Sequence, residues 1–348
     1  MNICLVLHKY GVRLDDPCCY PLGFMYVSSY LQGISHTVKV LNYNLWDYDL
    51  KEEIKGQDVV YFTGFEEFKQ NILRDEQVCI EAGVKTTLGG ALATFDGIPE
   101  FKGFKFKGEI DNVSSCAFPD YSGFGINEYH KRHPLRYMGV LASRGCPYSC
   151  TFCAQTCKFN LRPVFNVLHE IKCYSFKYSL DMIVFNDNTF NINKSRFMQF
   201  CSQLRVPWSA AIRCQPFDEE MAIAAKKSNC KYFVVGVESF NQDKLNRMNK
   251  KIKVKQIKRT LDLLEKYKIN YHGNILVGFD NETYSDIADE IRNIPSEYKV
   301  FPAMVQPFIG TKDGKKRSVS KKNFSKLSTL FNDYATQGGK SCYPQLES

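Results

Sequence analysis

The stretch "SRGCPYSCTFC", residues 143–153, sets Cys146, Cys150 and Cys153 in a C-x3-C-x2-C spacing directly behind the apolar run "YMGVLA" at 137–142. A short apolar run followed by Gly, Pro and Ser reads as a strand leading into a loop. The three cysteines therefore fall in the loop at the carboxyl end of that strand. Thiolates at this spacing can hold three irons of a [4Fe-4S] cluster and leave the fourth iron open to another ligand, as open catalytic metal sites differ from closed structural ones. A structural zinc site and a fully ligated electron-transfer cluster stand as alternatives, because Cys157 follows Cys153 by four residues and is a candidate fourth ligand.

Working outward, six strand candidates follow one another from Tyr137: "YMGVLAS", "DMIVFND", "PWSAAIRC", "KYFVVGVES", "INYHGNILVGF" and "VFPAMVQPFIG". Helical stretches near 165–174, 193–204, 218–228, 254–267 and 284–293 separate them. Six β/α units predict an open, partial (β/α)6 barrel over 137–312, with active groups at the carboxyl ends of the strands. Upstream, "NICLVLH", "PLGFMYVSSYLQG", "HTVKVLNYN", "DVVYFTG", "FKQNILRDEQVCIEAG" and "KTTLGG" alternate in the same way. They predict a separate α/β unit over 1–125 with a Rossmann-like parallel sheet, whose ligand edge would carry "TGF" (63–65) and "GGALAT" (89–94). Residues 111–136 break the alternation with Pro, Gly and polar residues and read as a linker running to about residue 136. Residues 313–348 form a short basic and aromatic extension, too short for an ordinary domain.

Composition narrows the class. With 44% hydrophobic and 14% aromatic residues in 348, the chain reads as globular, not disordered. No run of about 18 apolar residues occurs and "MNICLVLHKYGV" lacks the pattern of a secretory signal, so the expectation is a cytoplasmic protein with no membrane span. Fourteen cysteines in such a chain argue for reduced thiols, most of them small buried hydrophobes. Much of the net charge of +9 sits in "TKDGKKRSVSKKNFSK" (311–326) and reads as a solvated face; nucleic acid is the less favoured partner for it.

Here the residues resemble a family. "CPYSCTFC" is similar to the cluster loop of radical S-adenosylmethionine (SAM) enzymes, with Phe152 as the aromatic residue before the third cysteine. "VFNDNTF" (184–190), "PWSAAIRC" (207–214), "CKYFVVGVESFNQDKLNRMNK" (230–250), "NILVGFDNET" (274–283) and "VQPFIGT" (305–311) recur in that order in the barrel of a large subgroup. In that subgroup a vitamin-B12-binding domain precedes the barrel, and "PLGFMYVSSYLQ", "HTVKVLNYN", "TLGGALAT" and "FKGE" (106–109) resemble it.

The resemblance implies that Cys146, Cys150 and Cys153 bind a [4Fe-4S] cluster and that SAM chelates its open iron. One electron then cleaves SAM to methionine and a 5'-deoxyadenosyl radical, which takes hydrogen from an unactivated carbon. It further implies SAM contacts from Phe152, Asn188, Arg213, Glu238 and Ser239, with Arg213 forking onto the methionyl carboxylate and Glu238 or Ser239 taking the amino group or ribose hydroxyls. Read without the family, Arg213 pairs as well with Asp218, Glu238 with a backbone amide, and Asp187 caps a loop as readily as it meets SAM or substrate. "GFDNET" departs from the family's proline-glycine turn at Asp280 and Asn281, residues that still suit a turn.

For cobalamin the implied contacts are Leu22, Gly23, Thr63, Gly64, Gly89, Gly90, Gly108 and Glu109. No Asp-x-His-x-x-Gly motif occurs, and "HKYG" (8–11) lacks its spacing; "DDPCCYPLG" (15–23) offers Cys18, Cys19 or Tyr20 either to a ligand or, equally, to burial. The function implied is a cobalamin-dependent C-methyltransferase served by a reductant protein such as flavodoxin or ferredoxin. The alternatives are a B12-independent radical SAM enzyme catalysing rearrangement, oxidation or coupling, and a non-enzymatic iron-sulfur electron carrier. The substrate stays open among a small metabolite, peptide, lipid precursor and nucleotide.

Overall fold

A continuous apolar run such as "ICLVL" is the pattern of a strand covered on both faces, as in parallel sheets. In the computed structural model, which describes residues 1–9, 21–64, 66–107, 118–133, 135–154, 157–279 and 282–305, that run is β1 (Asn2–Leu7), buried throughout after Asn2. There follow α1 (Leu22–Gly33), β2 (Thr37–Asn42), α2 (Leu50–Glu53), β3 (Val59–Phe62), α3 (Lys69–Glu81), β4 (Lys85–Leu88), α4 (Gly90–Thr94), β5 (Phe104–Lys105) and α5 (Ile126–Arg132). The order β2-β1-β3-β4-β5 is parallel at every pairing. The order in which strands are added reverses between β1 and β3, the switch point at whose carboxyl ends such sheets bind ligands.

The second sheet collects β6 (Tyr137–Val140), β9 (Met182–Phe185), β10 (Trp208–Arg213), β11 (Cys230–Glu238), β12 (Asn270–Val277) and β13 (Val300–Met304) in the order β13-β12-β11-β10-β9-β6. The ladders from β10 through β13 are parallel. Between β6 and β9 lie β7 (Ser143–Arg144), β8 (Asn160–Leu161) and α6 (Val164–Tyr178); α7 (Lys194–Gln203), α8 (Glu219–Lys227), α9 (Gln242–Arg247), α10 (Val254–Lys266) and α11 (Tyr284–Arg292) fall among the later strands. The six strands and five of these helices lie where the alternation of the sequence puts them.

The chain packs as two compact units, Met1–Val140 with Phe165–Val184, and Leu141–Val164 with the described part of Phe185–Ser348. In the second unit Phe185, Phe190, Phe197, Phe200, Trp208, Phe217 and Phe233 interlock, with Phe185 and Phe190 stacked at 4.2 Å. Such rings bury large apolar areas and set the spacing between helix and sheet. Polar residues define where the helices begin: Asn193, Asp218, Asn241 and Thr283 each accept a backbone N–H at the start of α7, α8, α9 and α11. Glu219 and Glu220 in the first turn of α8 and Lys226 and Lys227 in its last suit the helix dipole.

One expectation is corrected. The stretch 111–136 reads as a linker, yet residues 126–132 form α5, because Ile126 and Tyr129 lie three apart and both become buried. Among the described residues no helix is long and apolar enough to cross a membrane.

Candidate functional site

The cysteine loop is closed at its base by β7 and β8, which pair antiparallel through Ser143 with Leu161 and Arg144 with Asn160. Gly145 makes this possible. Its φ is +70, and a Cβ there would stand 2.4 Å from the Cys157 carbonyl oxygen, closer than any side chain permits. Inside the loop the Cys153 N–H donates to the Cys150 carbonyl at 3.2 Å. Cys146 and Cys150 are half-buried and Cys153 is exposed. The three thiols thus share one loop, but among the described residues no three His, Cys, Asp or Glu side chains converge as a metal-holding group.

Five other cysteines differ sharply, while Cys157 is half-buried and Cys173 on α6 is exposed. Cys4, Cys79, Cys201, Cys214 and Cys230 are buried, and burial pushes the thiols of Cys4, Cys79 and Cys214 up to about 12 and that of Cys201 to about 11. They are packing residues without thiolate character. Of the loop thiols, that of Cys150 has a cation beside it.

That cation is Arg213, at the carboxyl end of β10. Its backbone N–H donates to Asn191 Oδ1 at 2.9 Å and its Nη2 donates to the Lys250 carbonyl. Nη1 stands 3.9 Å from Cys150 Sγ, and the guanidinium lies over the Tyr148 ring, 3.7 Å from its centroid. The residue is 4% exposed and its Nε has no hydrogen-bond partner. A buried guanidinium with a spare N–H beside a thiol loop is the donor set that an anionic cluster and a carboxylate require, so these residues fit the cofactors implied by the sequence. The alternative pairing with Asp218 is not made: Asp218 binds Lys194 at 2.6 Å and caps α8.

Glu238, ending β11, is buried with φ +67, and its Oε1 accepts from Lys250 Nζ at 2.6 Å. Ser239 is fully buried; its hydroxyl donates to Glu290 and accepts from the Asn241 N–H. Phe152 is half-buried, 6.5 Å from the Phe279 ring. Asn188 is exposed, and its carbonyl accepts from Thr189 Oγ1, which lies 3.9 Å from Cys146 Sγ.

Asp187 is committed to loop capping. Buried after β9, it accepts the Ala142 N–H at 2.7 Å and the Ser143 hydroxyl at 2.5 Å. Burial raises its carboxyl to about 6, although both hydrogen bonds pull the other way. Glu282 holds the next turn by accepting from the Gly278 and Phe279 N–H groups while pairing with buried Lys244 at 2.6 Å. Asp280 and Asn281 lie outside the described residues.

In the first unit, Leu22, Gly23, Thr63, Gly64, Gly89 and Gly90 fall at or just beyond the carboxyl edge of the sheet. A Cβ on Gly23 or Gly89 would meet nothing within 4 Å, so backbone there is open to a flat ligand. Gly64 and Gly90 are small for internal reasons: added Cβ atoms would stand 2.9 Å from Phe68 and 2.7 Å from Thr63 Oγ1. His8 turns inward, pairing with Asp75 at 2.9 Å between Tyr43, Phe62 and Phe68. Gly108, Glu109, Cys18, Cys19, Tyr20 and the extension 313–348 lie outside the described residues.

Sequence reasoning passed over Tyr148, Asn249 and Lys250. Tyr148 was an aromatic residue inside the cysteine loop and so carried a signal; Asn249 and Lys250 sit in "NKKIK", which reads as surface.

Residues 140–294 match the model of the radical SAM superfamily. An uncharacterized methyltransferase of Pyrococcus horikoshii is 27% identical over 215 residues, 58% of this chain and 46% of that protein. The bacteriochlorophyllide d C-12(1)-methyltransferase of Chlorobaculum tepidum is 28% identical over 213 residues, 57% of this chain and 46% of that one. The chain thus spans about half the length of these relatives. The radical SAM methyltransferase TsrM from Kitasatospora setae, solved with cobalamin and a [4Fe-4S] cluster bound, superposes on 90% of this chain and 73% of its own with a TM-score of 0.73 at 14% identity, a likeness of fold.

Proposed function

We propose that this chain, which carries a radical SAM domain over residues 140–294, is a cobalamin-dependent methyltransferase acting on carbon. The observation that carries the reading is Arg213: a buried guanidinium with a spare N–H, stacked on Tyr148 and 3.9 Å from the Cys150 thiol. Cys146, Cys150 and Cys153 would hold a [4Fe-4S] cluster. Arg213 would take the SAM carboxylate and Glu238 its amino group or ribose, with Phe152 and Asn188 on the rim of that site. Gly23, Thr63 and Gly89 would lie under cobalamin, whose binding is supported by the open backbone at the two glycines and by the switch point between β1 and β3.

When bound, the cluster supplies one electron to SAM and cobalamin relays a methyl group, steps beyond the reach of protein side chains. The chain's own work is positioning and exclusion of water. Arg213 is anchored through its backbone and Nη2, so its remaining N–H meets a carboxylate without reorganisation. Asp187 and Glu282 hold the loops that frame the site. The names of two relatives as methyltransferases and the cobalamin bound to TsrM support the choice of reaction.

The test is anaerobic reconstitution with iron, sulfide and hydroxocobalamin, gel filtration and a metal count. About four irons and about one cobalt per chain are expected. Iron retained without cobalt would remove the cobalamin half of the reading.

A further inference from the structure

Resting on that reading, we propose that Lys250 is a positioning residue for SAM: it fixes the carboxylate of Glu238 at the mouth of the site and ties it to the cysteine loop. Four observations converge on this residue. Its ammonium and the Glu238 carboxylate form a buried pair at 2.6 Å, with side-chain exposures of 6% and 11%. Its Nζ lies 5.9 Å from the centroid of Phe152, the residue before Cys153. Its carbonyl accepts the Arg213 guanidinium. Gly236, one turn of the pleat before Glu238, leaves room for the pair, since a Cβ there would stand 2.9 Å from Lys250 Nζ and 3.1 Å from Glu238 Oε1.

The neighbours of Lys250 dock on the same loop. The Met248 carbonyl accepts the Thr151 N–H at 3.1 Å, and Asn249 Nδ2 donates to the Ser149 carbonyl and hydroxyl at 2.8 and 2.9 Å. Asn249 and Lys251 flank Lys250 with φ of +51 and +54, and Glu238 itself has φ +67. The Asn249 and Lys250 N–H groups close the end of α9 on the Asn246 and Leu245 carbonyls at 3.0 Å each, and these contacts together with those to the loop fix where the Lys250 side chain stands. Here those contacts hold one carboxylate oxygen of Glu238 on Lys250 and leave the other for a ligand. A buried ion pair is weak evidence of a stabilising role; a carboxylate held by a buried lysine at the carboxyl end of a strand is what orienting a ligand requires.

Two variants of the reconstituted full chain test this. Lys250→Met removes the ammonium, and Gly236→Ala displaces it without removing charge. Iron content, equilibrium binding of SAM, the change that SAM causes in the paramagnetic resonance spectrum of the reduced cluster, and the urea midpoint are read for each. Both variants are expected to keep their iron, and Lys250→Met to bind SAM about ten- to a hundredfold more weakly, the loss of one aligned charged hydrogen bond. Gly236→Ala should weaken SAM in the same direction and blunt the spectral change, and it serves alone if Lys250→Met does not fold. SAM affinity and spectrum unchanged in a variant that retains iron would overturn the proposal, as would loss of iron from a folded Lys250→Met chain, which would assign the lysine to the loop instead of to Glu238. An unaltered chain that takes up no iron defeats the functional reading first, and this inference with it.

Discussion

The Arg213 guanidinium carbon lies over the Tyr148 ring, 3.7 Å from its centroid. This stack belongs to arginine alone: a lysine ammonium has no planar face and no fork, so it cannot lie on the ring, reach the Lys250 carbonyl and keep an N–H for a ligand at once. Arg213→Lys should therefore behave nearly as badly as Arg213→Ala. Both should weaken SAM binding to the reconstituted protein by about ten- to a hundredfold, while Tyr148→Phe, which keeps the ring, should bind as the unaltered chain does. Equal binding by Arg213→Lys would argue against a forked contact.

Asp187 should leave a pH signature on stability. Its carboxyl is raised from 3.8 to about 6 by burial, so the folded chain binds this proton more tightly than the unfolded chain does. Stability from this group is full below the ordinary carboxylate range and is lost as pH rises through about 6. Between about pH 4 and about pH 7 the unaltered chain should lose up to about 3 kcal/mol relative to Asp187→Asn, measured by urea unfolding. A difference that grows in the opposite direction would contradict the burial argument.

Gly145 and Gly56 share a φ above +70 or at it, yet an added Cβ meets the Cys157 carbonyl at 2.4 Å in one and nothing within 4 Å in the other. Gly56→Ala should cost only the left-handed conformation, about 1–2 kcal/mol. Gly145→Ala should cost more and also lower iron retention, because the base of the cysteine loop must open. Equal urea midpoints for the two would mean that the close approach does not matter.

Cys157 tests whether three thiols suffice. Cys157→Ala is expected to keep its iron and its response to SAM, whereas Cys150→Ala is expected to lose the cluster. Loss of iron in Cys157→Ala would restore the closed, four-ligand centre that the spacing left open.

Alternation of apolar runs places the six strands of the second sheet and the helices α6, α7, α8, α10 and α11, because β6 and β9 are buried throughout, β10 nearly so, and helices such as α10 carry an apolar stripe from Ile257 to Leu264. Shorter elements escaped. The hairpin of β7 and β8 has two residues a side, too few for a period, and α5 hid among turn-forming residues.

At the site, the cysteines stood out by their spacing, whereas Arg213 stood out only through the family resemblance, because a single charged residue near a strand end is common and pairs as well with Asp218. Asp187 was legible only as a choice between ligand and cap, and burial with two donors settled it for the cap. Lys250 was not legible: it stands beside Lys251 and Lys253, and only folding buries the first and leaves the other two exposed. No local pattern separates a lysine that meets Glu238 from one that meets water.

The central claim is that this loop and Arg213 serve SAM cleavage. The most direct measurement reduces the anaerobically reconstituted chain with dithionite, adds SAM and quantifies 5'-deoxyadenosine and methionine against the Arg213→Ala variant. Formation of 5'-deoxyadenosine by the unaltered chain, lost in the variant at equal iron content, is the predicted result. No 5'-deoxyadenosine from a chain that has taken up its iron would contradict the account.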